Sequence, residues 1–179
     1  MKKKKPDFDA AFWAGRTGNN PLPLFDAFFS TYPLSEAKEH LSSMMRYAVK
    51  RKVLSEKDPS VIFHFYLSMR SFIRAADHLS RTSGKYRLNP LKEHPSQLKQ
   101  GSLSEEEYAD PFLVFRRAFD DHRLAAFDHF ITGIAYFSLG PFGDYPERNN
   151  ISRFLHLQKM LDAAQLILER GWRNQKDFD

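Results

Sequence analysis

The chain of 179 residues contains no cysteine. Disulfides, thiolate nucleophiles and cysteine-ligated zinc are therefore excluded. Nor does it have a run of roughly 20 apolar residues, the length a membrane-crossing helix needs, so no membrane partner is expected. Behind the opening MKKKK there is no apolar stretch of the kind a secretory signal carries, and a cytoplasmic location follows as the expectation. Strand-like alternation, fixed-period repeats and low-complexity tracts are all missing. So are the phosphate-binding glycine loops, the GxSxG elbow, the HExxH zinc spacing and the EF-hand loop. No cofactor is expected.

What the chain does have is aromatic bulk and ordinary globular balance. Hydrophobic residues make up 42% and charged residues 27%, with 17 Phe. A length near this suits one domain, and a domain of this size buries about two-thirds of its unfolded surface without a metal or disulfide staple. The formal net charge is +5, yet Lys2–Lys5 supply four of the positive charges. The basic character is therefore largely that of an N-terminal arm.

Helical periodicity runs through most of the rest. The spacing predicts an all-α, single-domain helical bundle of four main helices plus short ones. Residues 1–22, broken by Pro6, Gly15, Gly18 and Pro21, form a basic, mostly irregular arm whose Phe8, Phe12 and Trp13 are expected to dock on the protein's own body, with a partner as the alternative. The bundle occupies 23–172, and 173–179 are a frayed tail. A short helix over 23–32 precedes Ser35, a capping residue that opens a helix with Ala37, Leu41, Met44 and Ala48 on its inward face. Asp58–Pro59 is a helix start; Ile62, Tyr66, Met69, Ile73 and Ala76 make the stripe that follows it. A long connection over 83–103 carries Pro90 and Pro95, and its length marks it as a candidate binding loop. Ser104 before three glutamates begins a short helix. The stretch 111–140 reads as one central helix with a bend at Asp120–Asp121; its second half is apolar on nearly every side, as a helix enclosed by protein must be. Asn150 caps the last helix, which Gly171 stops.

Three constellations could carry chemistry. His122 and His129, seven apart in the central helix, lie on one face, with Asp128 on the next; His122, Asp128 and His129 are the candidate metal or small-ligand residues, although two turns of helix separate the imidazoles by about 10 Å. Second, Arg117 and His122 enclose Ala-Phe-Asp-Asp. This spacing resembles the R-x4–6-H pattern of HEPN-type ribonucleases, which are also helical bundles. The resemblance covers these six residues, and Arg87–His94 and Arg123–His129 share the spacing. It implies metal-independent RNA cleavage, with Arg117 stabilising phosphate charge and His122 acting on the 2′-hydroxyl proton. Third, Arg46, Lys50, Arg70, Arg74, Arg81, Lys85 and Arg87 could converge as a basic surface for a polyanion. The reading that follows is a non-enzymatic binding or assembly module. Its partner would be a protein, or a nucleic acid reached through the basic surface, and homo-oligomerisation is compatible with the composition. The ribonuclease and the metal or small-ligand binder are the alternatives.

Overall fold

The structure, a computed structural model, describes residues 7–15, 20–50, 53–55, 57–90, 96–140 and 150–175. Local chemistry sets the helix boundaries. Asn20 accepts the Leu22 amide and Pro21 supplies a preset first φ, opening α2, Pro21–Thr31, behind a single turn, α1, Ala11–Ala14. Next comes α3, Leu34–Lys50; it starts one residue before Ser35, which therefore sits in the first turn instead of capping it. Asp58 accepts the Ser60 amide at 2.7 Å and Pro59 follows, so α4, Pro59–Thr82, begins where the sequence places it. Ser104 and Glu107 form a reciprocal capping box at the head of α5, Glu105–Ala109. The last helix, α8, Asn150–Arg170, ends at Gly171 with φ 77°; a Cβ there would lie 2.8 Å from the Asn89 side chain, so only glycine fits.

The fold is all-α, with one small two-stranded sheet among the described residues. Inward faces follow the periodicity: Ala37, Leu41, Met44 and Ala48 of α3 are buried, as are Ile62, Met69, Ile73 and Ala76 of α4. Phe25 links two helices through its ring, 4.7 Å from Phe72 and 5.8 Å from Phe115. Across α4 and the helix containing Thr132, Tyr66 meets Thr132 at 3.1 Å while Arg70 and Arg74 reach Asp128. Numbers rise on one helix as they fall on the other, so the pair is antiparallel. Asp162 of α8, fully buried, is held by the Lys38 ammonium at 2.5 Å and by the Ser102 amide and hydroxyl.

Three expectations need correction. The central helix is two helices: α6, Phe112–Asp121, and α7, Leu124–Leu139. His122 between them is extended, with φ −138° and ψ 134°. Two aspartates end α6, so the predicted bend becomes a break, and His122 and His129 no longer share a helical face. Second, α7 is not enclosed all round. Phe127, Phe130, Ile131 and Ile134 are fully buried, but Tyr136 on the opposite side is 52% exposed. Third, strands exist: β1, Tyr86–Leu88, pairs antiparallel with β2, Trp172–Asn174. The long connection is thereby anchored, and Arg173 and Asn174 belong to a ladder, not to a frayed tail. Of the arm's three aromatics, two dock on the body of the protein while Phe12 is 77% exposed. Phe8 is buried against His78, and the Trp13 indole N–H donates to Ser71 at 2.9 Å. Lys2–Lys5 and the aromatics Phe142 and Tyr145 lie outside the described residues.

Candidate functional site

The sequence-selected pair sits on the flank where α6 approaches α8. Arg117 projects from α6 toward α5, donating to Glu106 at 2.6 Å and Glu107 at 3.3 Å. Lys159 of α8 reaches the same Glu107 at 2.8 Å. Burial pushes the Glu107 carboxyl up, but the Lys159 ammonium, the Ser104 amide and Arg117 outweigh it and hold it below the usual range. The Glu106 hydrogen bond, foremost, raises Arg117. His122, at the break, pairs its Nε2 with the Ser152 hydroxyl at 2.9 Å, and His156 beside it pairs with Asp121 at 3.0 Å. Burial, then Arg153 and His156, lowers the His122 pKa, so its ring is neutral at neutral pH. Between the helices lies a cleft of about 720 Å³, lined by Arg117, Asp121, Ser152, His156 and Lys159 and edged by exposed Ile151 and Leu155. The cleft gathers Arg117 and the Ser152 partner of His122, but its cations are already neutralised by carboxylates.

The metal candidates are not brought together. His122 faces α8, whereas Asp128 faces Arg70 and Arg74 on α4. Among the described residues, no group of three or more His, Asp or Glu is placed to hold an ion.

The basic surface is divided. Arg74 pairs with Asp9, Arg70 lies 3.7 Å from Asp128 and over the Tyr66 ring, and Arg81 grips Asp77 through two bonds of 2.7 and 2.6 Å. Each α4 arginine is thus compensated by a carboxylate. Arg81, with exposed Lys85 and Arg87 beyond it, stands about 33 Å along α4 from Pro59. Arg46 and Lys50, also exposed, lie on the last turns of α3 and lead toward the opposite end. The seven cations therefore do not form one continuous face.

A different feature marks that opposite end. Eight large apolar side chains are exposed among the described residues, and six of them, Phe12, Val49, Val53, Val61, Phe63 and Tyr136, gather where α3 ends, α4 begins and α7 ends. The Leu54 amide donates to the Ser138 carbonyl at 2.8 Å, which fixes Val53 beside the end of α7. Tyr136 lies one turn beyond Thr132 and so comes level with the turn preceding Tyr66, where Val61 and Phe63 sit. Phe12, Val61 and Phe63 edge a groove of about 430 Å³ whose floor is Tyr32 and His64. That floor is stiffened by polar bonds. The Tyr32 hydroxyl meets His64 Nδ1 at 2.5 Å, and burial, with Glu36, pushes the phenol up to about 12. Behind it, His40 stacks on Phe65 and contacts Glu36 and Lys57, both at 3.2 Å. Sequence reasoning singled out Phe12 but missed Val49, Val53, Val61, Phe63 and Tyr136. The available signal was angular: Phe63 falls about 100° from Ile62, off the buried stripe.

Comparison of the chain with protein-family profiles, with curated proteins and with solved structures finds no match.

Proposed function

We propose that this protein is a binding module whose α3–α4–α7 end docks a protein partner presenting apolar side chains and carboxylates. The observation that carries this reading is the exposure of six large apolar residues on α1, at the end of α3, at the start of α4 and at the end of α7, of which Phe12, Val61 and Phe63 edge one groove. Scattered apolar residues are normal on a surface, but a contiguous patch with a polar rim marks an interface. The rim here is basic. Arg46 and Lys50 flank Val49, and neither has an ion-pair partner among the described residues, so they favour an acidic counterpart. Aromatics such as Phe63 and Tyr136 are the side chains that dominate binding energy at interface centres.

The test is site-specific photocrosslinking in producing cells, with benzoylphenylalanine replacing Phe63 or Tyr136 and, as control, Leu155. The expected result is one discrete protein adduct from positions 63 and 136, weakened by Arg46→Glu with Lys50→Glu. Adducts from position 155 alone, or none at 63 and 136, count against the reading.

A second reading places metal-independent ribonuclease chemistry in the α6–α8 cleft. It is supported by a neutral His122 bonded to Ser152 beside Arg117. It requires substrate phosphate to displace Glu106 and Glu107 from Arg117. Cleavage of single-stranded RNA in chelator, lost in both Arg117→Ala and His122→Ala, is the result it demands.

A further inference from the structure

Another groove, about 800 Å³ in volume, lies between α2, the tight 3-10 turn Gln97–Gln100 and the last turns of α8, and shares no lining residue with the two sites above. Its floor is apolar: Phe29, Leu34, Leu98 and Leu168 are each half-buried. Among the described residues its charged lining is of one sign. Asp26 stands on the α2 wall and Glu169 on the α8 wall, both exposed, and no described Lys, Arg or His lines the groove. Neither carboxylate has an ion-pair partner among the described residues. Glu169 accepts a 3.3 Å bond from Gln165, which is neutral. This contrasts with Asp9, Asp77, Asp110 and Asp128, each of which is met by an arginine. In a chain of net charge +5 the groove is a local inversion of sign.

The walls are preformed. The Ser96 amide donates to the Tyr108 hydroxyl at 3.0 Å, and the Ser102 hydroxyl donates to buried Asp162 at 2.6 Å, pinning both ends of the Gln97–Gln100 turn. At Gly101 a Cβ would meet the Leu98 carbonyl at 3.1 Å and Asp162 at 3.3 Å, so the turn is drawn in tightly. On the α2 side, Phe29 is fixed edge-on against Phe28 with centroids 5.3 Å apart. A groove that needs no rearrangement loses little ordering entropy on binding.

From this we infer that the α2–α8 groove is a docking site for a basic amphipathic helix of a partner protein. Apolar side chains spaced at i, i+3 or i+4 would cover Phe29, Leu98 and Leu168, while Lys or Arg on the flanks would meet Asp26 and Glu169. A helix fits better than an extended segment because the walls are helices and a 3-10 turn. None offers the unpaired strand edge from which an extended peptide draws its hydrogen bonds. Polyanions and acidic peptides are repelled by the same two carboxylates. The site is distinct from the α3–α4–α7 end in position and opposite to it in the charge it selects.

Two amidated 14-residue amphipathic helices test this, identical in their leucines and alanines, one carrying Lys and the other Glu at every polar position. Each is titrated into the full chain, with affinity read by fluorescence anisotropy and location by amide chemical shifts. The Lys helix is expected to bind, shifting amides of α2, 97–101 and the second half of α8. Asp26→Asn with Glu169→Gln, both exposed and harmless to folding, should weaken it roughly tenfold, the effect two exposed ion pairs permit. Phe63→Ser should leave it unchanged. Equal binding of the Glu helix, full affinity in the double variant, or shifts confined to the Phe63 end would each overturn the inference. The last of these bears on the other surface without rescuing this one.

Discussion

At the scale of single residues, the most consequential one in the interior is Asp162. Its carboxylate is fully buried, and its Oδ1 has no hydrogen bond apart from its ion pair with Lys38. Taking a charge out of water is costly unless a partner offsets it, and deleting one member of such a pair leaves the other uncompensated. Lys38→Met keeps the aliphatic stem, so it isolates the charge. It is expected to lower unfolding free energy by about 3 kcal/mol in urea titration; a loss below about 0.5 kcal/mol, the scale of an exposed pair, would show that water reaches the carboxylate. Single positions also show what a sequence can and cannot disclose about a site. Arg117 and His122 were visible as a spacing, but the neutralisation of Arg117 was not. It comes from Glu106 and Glu107 on a different helix, and the angle between α5 and α6 decides it. In the same way the exposure of Tyr136 was hidden, because an apolar run reads as buried until its neighbours are placed.

At the scale of elements, helix starts and stops were legible wherever they rest on local chemistry. Asp58–Pro59, Ser104 with Glu107, and Gly171 each perform the capping role that their residue types dictate. Inward faces were legible too, since a period of 3.6 needs no knowledge of partners. The β1–β2 pair was not. Each strand has three residues, too few to show alternation, and the neighbouring Asn89–Arg170 contact joins positions 81 apart. Around the ladder the Asn89 amide donates to Gly171, its side-chain amide donates to Arg170, and the Arg170 guanidinium donates back to Asn89 and to Ala109. The Tyr86 and Trp172 rings meet edge-on at 5.6 Å. A chain ending at Gly171 is expected to keep its helical circular dichroism while its melting temperature falls by about 5 °C, as a loss near 2 kcal/mol implies for this size. Limited proteolysis should then cut within 86–100. Unchanged melting and unchanged protease resistance would mean that the ladder adds nothing.

Across the whole molecule, three histidines far apart in the fold share one electrostatic sign. Burial holds His40, His78 and His122 below the ordinary imidazole value of 6.5, and nearby cations add to it: Lys57 for His40, Arg81 and Lys85 for His78, Arg153 for His122. On the acidic side of that value the unfolded chain binds more protons than the folded one, so stability rises with pH there. The stabilisation is complete above about pH 6.5 and is lost as pH falls through the unfolded value toward the folded ones. Glu107, also depressed, acts in a lower window, below its ordinary 4.5. Urea unfolding between pH 7.5 and 5.5 therefore isolates the imidazoles: stability should decline with acid, and His40→Gln should flatten the decline. A flat or inverted profile in the unaltered chain would mean that these rings are as well hydrated folded as unfolded.

The terminal ladder also bears on how the protein is made. Tyr86–Leu88 is synthesised long before Trp172–Asn174, and four helices, α5 to α8, must be produced in between. During elongation the early strand has no mate, so the nascent polypeptide carries an open edge until Trp172–Asn174 emerge. Completing the ladder cinches α5–α8 into a closed ring of chain, a step whose entropic cost is small only once those helices have already collapsed together.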